Sequence, residues 1–313
     1  MKHVLVAVAW PYANGPLHLG HMAGCYLPAD IFARYHRLKG NQVLMVSGSD
    51  MHGTPIMVTA QQEGAEPEEV ALRYHEMNSR SIEQMGISFD LFTHTHTPEH
   101  QAVAQEIIER LDDAGYIEPR TTTAPYDPKA EQFLPDRYVE GTCPHCSSTG
   151  ARGDQCDSCG KTLDADELID PHPKLNPEVA LEFRETEHLF FRLSAFREKL
   201  LEWLAEGKEH WKSNVLNFTR NWLEEGLVDR AITRDLEWGI PVPREGYEDK
   251  RIYVWFEAVM GYFSASRHWA QLQGDDEAWR KWWDDPEAEH RYFMAKDNIP
   301  FHTIIWPAML LGC

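Results

Sequence analysis

The uncharged, β-branched run VLVAVAW, from Val4 to Trp10, is bounded by turn residues, and that pattern predicts a short buried strand. Beyond a stiff turn, PYANGP, the stretch YLPADIFARYHRLKG places Ile31, Phe32, Tyr35 and Leu38 at helical spacing and stops at Gly40, predicting a helix around Ala29 to Leu38. The alternation continues with a strand QVLMVSG, helices from Pro55 to Gln62 and from Glu68 to Met85, a strand LFTHT and a helix EHQAVAQEIIERLDDAG. Strands alternating with helices predict a parallel sheet wrapped by helices.

That pattern stops near Tyr116. From there to about Asp170 the chain turns to Pro, Gly, Cys and Thr with short extended pieces, as an inserted module does. Two helical stretches follow, SAFREKLLEWLAEG, opening at Ser194 and closing at Gly207, and SNVLNFTRNWLEEGL. The alternation resumes in RIYVWFEAVMGYFSASRHWA and HRYFMAKDNIPFHTIIWPAMLLGC, each a β-rich run passing into helical spacing. The expected layout is an α/β domain in two halves, 1–115 and 230–313, split by an insertion, 116–229. In such a sheet ligands collect at the carboxyl ends of the strands, and the unusual polar clusters PLHLGH, GSDMHGTP, WFEAVMGY and AKDNIPFH all fall there.

Composition narrows the function classes. With 313 residues, 42% hydrophobic and 11% aromatic, the chain has core enough for one large or two ordinary domains. A formal charge of -20 opposes non-specific binding to a polyanion, and no run of basic residues supplies a local nucleic-acid surface. MKHVLVAVAW lacks the small-residue cleavage site of a signal peptide, and IPFHTIIWPAMLLGC is too short to span a bilayer, so the expectation is a cytoplasmic protein with no membrane partner.

His18 and His21 stand one turn apart where a strand hands over to a helix start, so two imidazoles can add donors toward the same phosphate chain; the alternative is a capping or core pair. Gly20 between them removes a Cβ and lets a flat base lie close. Asp50, with His52, follows a strand and can hold a substrate ammonium or cap a helix. Tyr12, Trp255 and Tyr262 can line an apolar pocket or belong to the core. Cys143, Cys146, Cys156 and Cys159 form C-x2-C, nine residues, C-x2-C, with Pro144, Gly153 and Gly160 permitting tight knuckles. That spacing fits one closed structural Zn2+ site per chain, against a redox dithiol pair. Cys25 is expected to be a buried thiol.

Together AWPYANGPLHLGH, GSDMHGTPI, the two cysteine knuckles, ITRD, YVWFEAVMGY and AKDNIPFHTIIWPAML resemble the methionyl-tRNA synthetases, a class I aminoacyl-tRNA synthetase family, closest to its archaeal and eukaryotic branch. The resemblance implies a Rossmann-like parallel sheet split by a zinc-knuckle-containing connective insertion. It implies that the L-methionine carboxylate attacks the α-phosphorus of ATP, bound with Mg2+, and that the methionyl group passes to tRNA(Met). Carried over by position, His18 and His21 contact ATP and its developing charge, Gly20 lies near the adenine and Asp297 reaches the ribose hydroxyls. Asp50 binds the ammonium; Ala9, Trp10, Tyr12, Trp255, Tyr262 and His302 form the methionine pocket; Arg234 stands on the adenylate side. Val259 departs from the family, which usually has a proline there. The Lys-Met-Ser-Lys-Ser motif does not occur, so the chain is expected to be an N-terminal catalytic fragment whose tRNA contacts lie mainly outside it. The competing readings are another H-x-G-H nucleotidyltransferase or synthetase acting on a different acid, and a non-catalytic zinc-containing scaffold fragment.

Overall fold

The uncharged run forms β1, His3–Val8, with five of its six residues buried. The computed structural model describes residues 1–313 other than 136, 137, 154, 155, 157, 160–162, 164, 175 and 209. After the turn, a helical path begins with α1, Leu19–His21, passes through a π turn over Met22–Tyr26 and continues as α2, Leu27–Leu38. Next come β2 (Gln42–Ser49), α3 (Thr54–Glu63), α4 (Pro67–Gln84), β3 (Leu91–His94) and α5 (Pro98–Asp113). Helices α3 to α5 each carry a proline at the first or second position, where its missing N–H costs nothing and its fixed φ favours the helix, whereas Pro28 of α2 follows the π turn within one continuous helical path. The helical spacing of Ile31, Tyr35 and Leu38 located α2 but not its inner face. All three are exposed, and Ala29 and Ala33, with half-buried Phe32, pack instead on Val4, Val6, Val8 and Met45.

The insertion is extended, as its composition predicts. β4 (Ile117–Asp127) and β9 (Glu182–Phe191) make an antiparallel ladder, with β5 (Gln132–Phe133) beside β4. Between them β6 (Val139–Thr142), β7 (Thr149–Arg152) and β8 (Ile169–Pro173) form a separate sheet in the order β7-β6-β8. The chain then runs through α6 (Arg197–Ala205), α7 (Ser213–Glu225), β10 (Arg230–Ala231), β11 (Thr233–Arg234) and β12 (Arg251–Ile252). It finishes with α8 (Val254–Ala258), α9 (Gly261–Leu272), α10 (Arg280–Trp283), β13 (Glu289–Phe293), a π turn over Phe301–Ile305 and α11 (Trp306–Gly312).

Two compact units result: unit 1 holds Met1–Tyr116, Arg192–Asp229 and Val254–Cys313, and unit 2 holds Ile117–Phe191 and Arg230–Tyr253. The expected borders, 116–229 for the insertion and 230–313 for the second half, therefore shift. Helices α6 and α7 pack with unit 1, where the Thr219 hydroxyl donates to Thr303 at 2.8 Å and Leu200 and Leu223 are fully buried. The helical stretch expected to open at Ser194 starts as a 3-10 turn over Leu193–Phe196 and becomes α6 only at Arg197, and the Ser194 N–H and hydroxyl both donate to the Asp229 carboxylate.

Unit 1 is built on a parallel sheet in the order β13-β1-β2-β3. The run beginning RIYV does not join it. Only Arg251–Ile252 is extended there, paired antiparallel with β11, and Val254 already begins a helix, so the second half contributes β13 alone. Among the described residues no helix is long and apolar enough to cross a membrane.

Candidate functional site

Because the four strands of the unit 1 sheet are parallel, the segments after β13, β1, β2 and β3 emerge side by side at one edge. Pairing persists beyond the strands: the Asp50 N–H donates to the Pro11 carbonyl and the Ala13 N–H to the Asp50 carbonyl, both at 2.8 Å, which bridges Tyr12 to Asp50. Buried Asn78 on α4 accepts the Leu17 N–H at 3.0 Å and donates to the Gly15 carbonyl. The turn is thus held from below as well as by its own prolines.

His18 and His21 cap their helix with imidazole nitrogens. His18 Nδ1 accepts the Gly20 N–H at 3.0 Å, and His21 Nδ1 accepts the His18 N–H at 3.3 Å. With both Nδ1 atoms used as acceptors, each neutral ring carries its proton on Nε2, so capping fixes the tautomer and leaves an N–H donor on each ring. The rings stack with centroids 3.9 Å apart. Burial, then the neighbouring His18, lowers the His21 pKa and keeps its ring neutral. A Cβ on Gly20 would come within 2.9 Å of His18 Nδ1, so the glycine is required by the cap itself. The two sequence readings of this pair, cap and phosphate donor, are compatible in one geometry.

Beside them lies an aromatic enclosure. The Trp255 indole N–H donates to the Tyr12 hydroxyl, and the Trp255 ring meets Phe301 edge-on at 5.0 Å. The Tyr262 hydroxyl donates to His302 Nε2 at 2.8 Å, while His302 Nδ1 donates to the Asn298 carbonyl at 2.8 Å. Burial pushes the His302 pKa down to about 4, so this wall stays uncharged at neutral pH. Phe301 and His302 both lie on the second π turn, a local widening frequent at functional sites. Val259 is buried and apolar. Ala9 donates its N–H to the Phe293 carbonyl, joining the ends of β1 and β13. Trp10 is wedged against two glycines, since a Cβ on Gly48 or Gly261 would lie 2.3 or 2.8 Å from its ring.

Asp50 is buried, and burial first, then the charge of Glu257, raises its pKa well above the usual carboxylate range. Its side chain accepts the His52 N–H at 3.3 Å. Glu257 and His100 join this cluster and were not singled out from the sequence. A lone Glu inside the apolar run YVWFEAV is the available signal, because glutamate is almost never fully buried without partners. Asp297 is exposed on a 3-10 turn after β13, next to the segment that carries His18. Arg234 belongs to unit 2, where its guanidinium donates to the Ala231 and Thr233 carbonyls and lies 4.1 Å from the centre of the Tyr253 ring.

In unit 2 the sulfurs of Cys143, Cys146, Cys156 and Cys159 all lie within 4.8 Å of one another, with Cys143–Cys159 at 3.9 Å and Cys146–Cys156 at 3.6 Å. Tetrahedral zinc with bonds of ~2.3 Å places its sulfurs about 3.8 Å apart, so the four thiols fit that ion. The first knuckle is closed by the Ser147 N–H donating to the Cys143 carbonyl, and Gly153 donates its N–H to Val139; Gly160 lies outside the described residues. His145 is exposed and is not a member of the cluster. Cys25 is half-buried, its thiol donating to the Phe293 carbonyl, and burial pushes its pKa up to about 11.

Comparison with known proteins agrees with this geometry. A methionine–tRNA ligase of Dehalococcoides mccartyi (strain CBDB1) is 59% identical over 311 residues, which are 99% of this chain and 56% of the relative. One from Thermomicrobium roseum is 59% identical over 307 residues, 98% of this chain and 52% of the relative. The solved structure of Mycobacterium tuberculosis methionyl-tRNA synthetase in complex with methionyl-adenylate superposes with a TM-score of 0.73 at 26% identity, covering 100% of this chain and 55% of that one. The chain thus spans about half the length of the relatives it matches. The profile described as tRNA synthetases class I (M) matches residues 4–313, and the chain belongs to that family.

Proposed function

We propose that this chain is the catalytic part of a cytoplasmic methionine–tRNA ligase, which joins L-methionine to ATP as methionyl-adenylate before transfer to tRNA(Met). The observation that carries this reading is the short stretch from Tyr12 to His21: its first residue is bridged to buried Asp50 and bonded to Trp255, and its last two histidines hold Nε2–H donors at a helix start. One turn therefore serves an amino-acid pocket and a phosphate site together. The substrate ammonium pairs with Asp50, whose burial makes an unpaired negative charge costly. Ala9, Trp10, Tyr12, Trp255, Tyr262 and His302 enclose the thioether, and the Tyr262–His302 bond satisfies the polar tips of both side chains with each other.

The reaction needs little acid or base help. The methionine carboxylate is already a nucleophile; its oxygen bonds to the α-phosphorus as the bond to pyrophosphate breaks, and the electron pair leaves with pyrophosphate. Alignment and charge stabilisation are what the protein supplies. His18 and His21 donate to the phosphates, Gly20 lies by the adenine and Asp297 takes the ribose hydroxyls. Mg2+ accompanies ATP and offsets its charge.

Calorimetry on the 313-residue chain is expected to show methionine binding in preference to leucine, and Trp255→Ala to weaken it by about 1–3 kcal/mol, the usual loss for a buried aromatic anchor. Equal affinity for leucine and methionine would overturn the reading in favour of a different acid.

The cysteine cluster is the structural Zn2+ site of this proposal. Elemental analysis is expected to give one zinc per chain, and Cys156→Ser to loosen β6–β8 before it affects the unit 1 sheet, because the ion closes a local loop. Metal-free folded protein with all four thiols titratable would refute it.

A further inference from the structure

Unit 1 buries a second carboxylate that the reaction above does not use. Glu257 is fully buried, its Oε1 lies 2.8 Å from His52 Nδ1 and its Oε2 lies 2.5 Å from His100 Nε2. The chain of bonds continues from His100 Nδ1 to the Ser264 hydroxyl at 2.7 Å, and from His52 Nε2 to His96 Nδ1 at 3.1 Å. A need for satisfied charge explains why Glu257 has partners, but it does not explain which elements those partners join. His52 belongs to the segment after β2 and supplies the N–H that Asp50 accepts; His100 lies in the first turn of α5; Glu257 itself stands two residues after Trp255 in α8.

Asp50 and α8 are therefore connected twice. One path runs from Asp50 across its bridge to Tyr12 and through the Tyr12 hydroxyl to Trp255. The other runs from the Asp50 carboxylate through His52 to Glu257. A single tie leaves a pivot; two ties from one short helix to one carboxylate-bearing segment set distance and rotation together. Charge points the same way. Burial would raise the Glu257 pKa, but His100 and His52 prevail and hold it below the usual range, whereas among the described residues Asp50 has only the His52 N–H to offset its burial. The imidazoles answer the charge of Glu257, and the charge of Asp50 is left for a cation that arrives with the ligand.

We propose that Glu257 is a positioning residue of the amino-acid subsite: through His52 it aims the Asp50 carboxylate at the substrate's α-ammonium group, and through His100 it locks α8, with Trp255, into the same frame. This rests on the reading of unit 1 as a methionine-activating site.

The test uses two ligands that differ only in the ammonium group, L-methioninol and 4-(methylthio)butan-1-ol, and reads the ratio of their affinities for the 313-residue chain. Glu257→Gln keeps the shape but offers an amide to one imidazole. It is expected to lower the ratio by about tenfold or more, a change of roughly 1.4 kcal/mol, almost entirely through weaker methioninol binding. His52→Gln removes the imidazole that Glu257 and His96 both bond but leaves the Glu257–His100 bond in place, so it breaks the path toward Asp50 and is expected to lower the ratio similarly; it serves should Glu257→Gln not fold. A purely structural role would weaken both ligands together and leave the ratio unchanged in whichever variant folds, which would overturn the proposal. Wild-type protein that binds neither ligand, or binds both equally, would instead overturn the underlying reading and the proposal with it.

Discussion

His21→Ala, in a chain extended to the length of its relatives, is expected to slow methionine-dependent ATP–pyrophosphate exchange by about 100- to 1,000-fold, the usual cost of one preorganised charge-stabilising donor. The cap explains the size of the effect. His21 Nδ1 holds the His18 N–H, so its Nε2 proton is fixed before any phosphate arrives, and the stacked His18 ring loses its neighbour when the imidazole goes. Methionine affinity is expected to change little, because Asp50, Tyr12 and Trp255 keep the bonds that join them. Exchange at the wild-type rate would show that the histidine pair only caps the helix.

Gly48→Ala is expected to destabilise unit 1 by about 3 kcal/mol, the upper end of what overpacking a core usually costs. A Cβ there would lie 2.3 Å from the Trp10 ring and 2.4 Å from the Thr93 carbonyl oxygen on β3. The ring has no room to retreat, since its other side rests against Gly261, and the carbonyl cannot move without parting β2 from β3. The denaturant midpoint measures the loss. Because Trp10 leads into the turn that carries Tyr12, methionine affinity is expected to fall as well. A loss under about 1 kcal/mol would mean that Trp10 can repack.

Much of unit 1 was legible in advance. Its first three strands and helices α2 to α5 stand as apolar or helix-forming runs between proline, glycine and turn residues, and local chemistry decides where such elements lie. The cysteine cluster was legible for the same reason: its ligands are close in the chain. What stayed hidden depends on partners remote in sequence. Leu38 looks like core from its spacing and is exposed, because small Ala29 and Ala33 sit against the sheet instead. Arg251–Ile252 reads as a sheet strand, yet its extended partner is β11. Ser194 has the chemistry of a cap, but Asp229 claims both its donors. In the site, Asp50 and the histidine pair announced themselves by position after strands, whereas His100 and Glu257 are 157 residues apart and only the fold joins them. The π turn that carries both Phe301 and His302 leaves no mark that hydrophobic periodicity can register.

The threading of the two units has a consequence for the newborn chain. Unit 2 has all its residues once Tyr253 has left the ribosome, while β1, made well before unit 2, still lacks β13, its neighbour at 289–293. Until then the edge of β1 is an open row of backbone groups on an apolar strand, the kind of surface that invites mispairing. Nascent unit 1 must therefore wait as a half-finished sheet while the later insertion closes first, so synthesis reverses the order in which these two bodies begin.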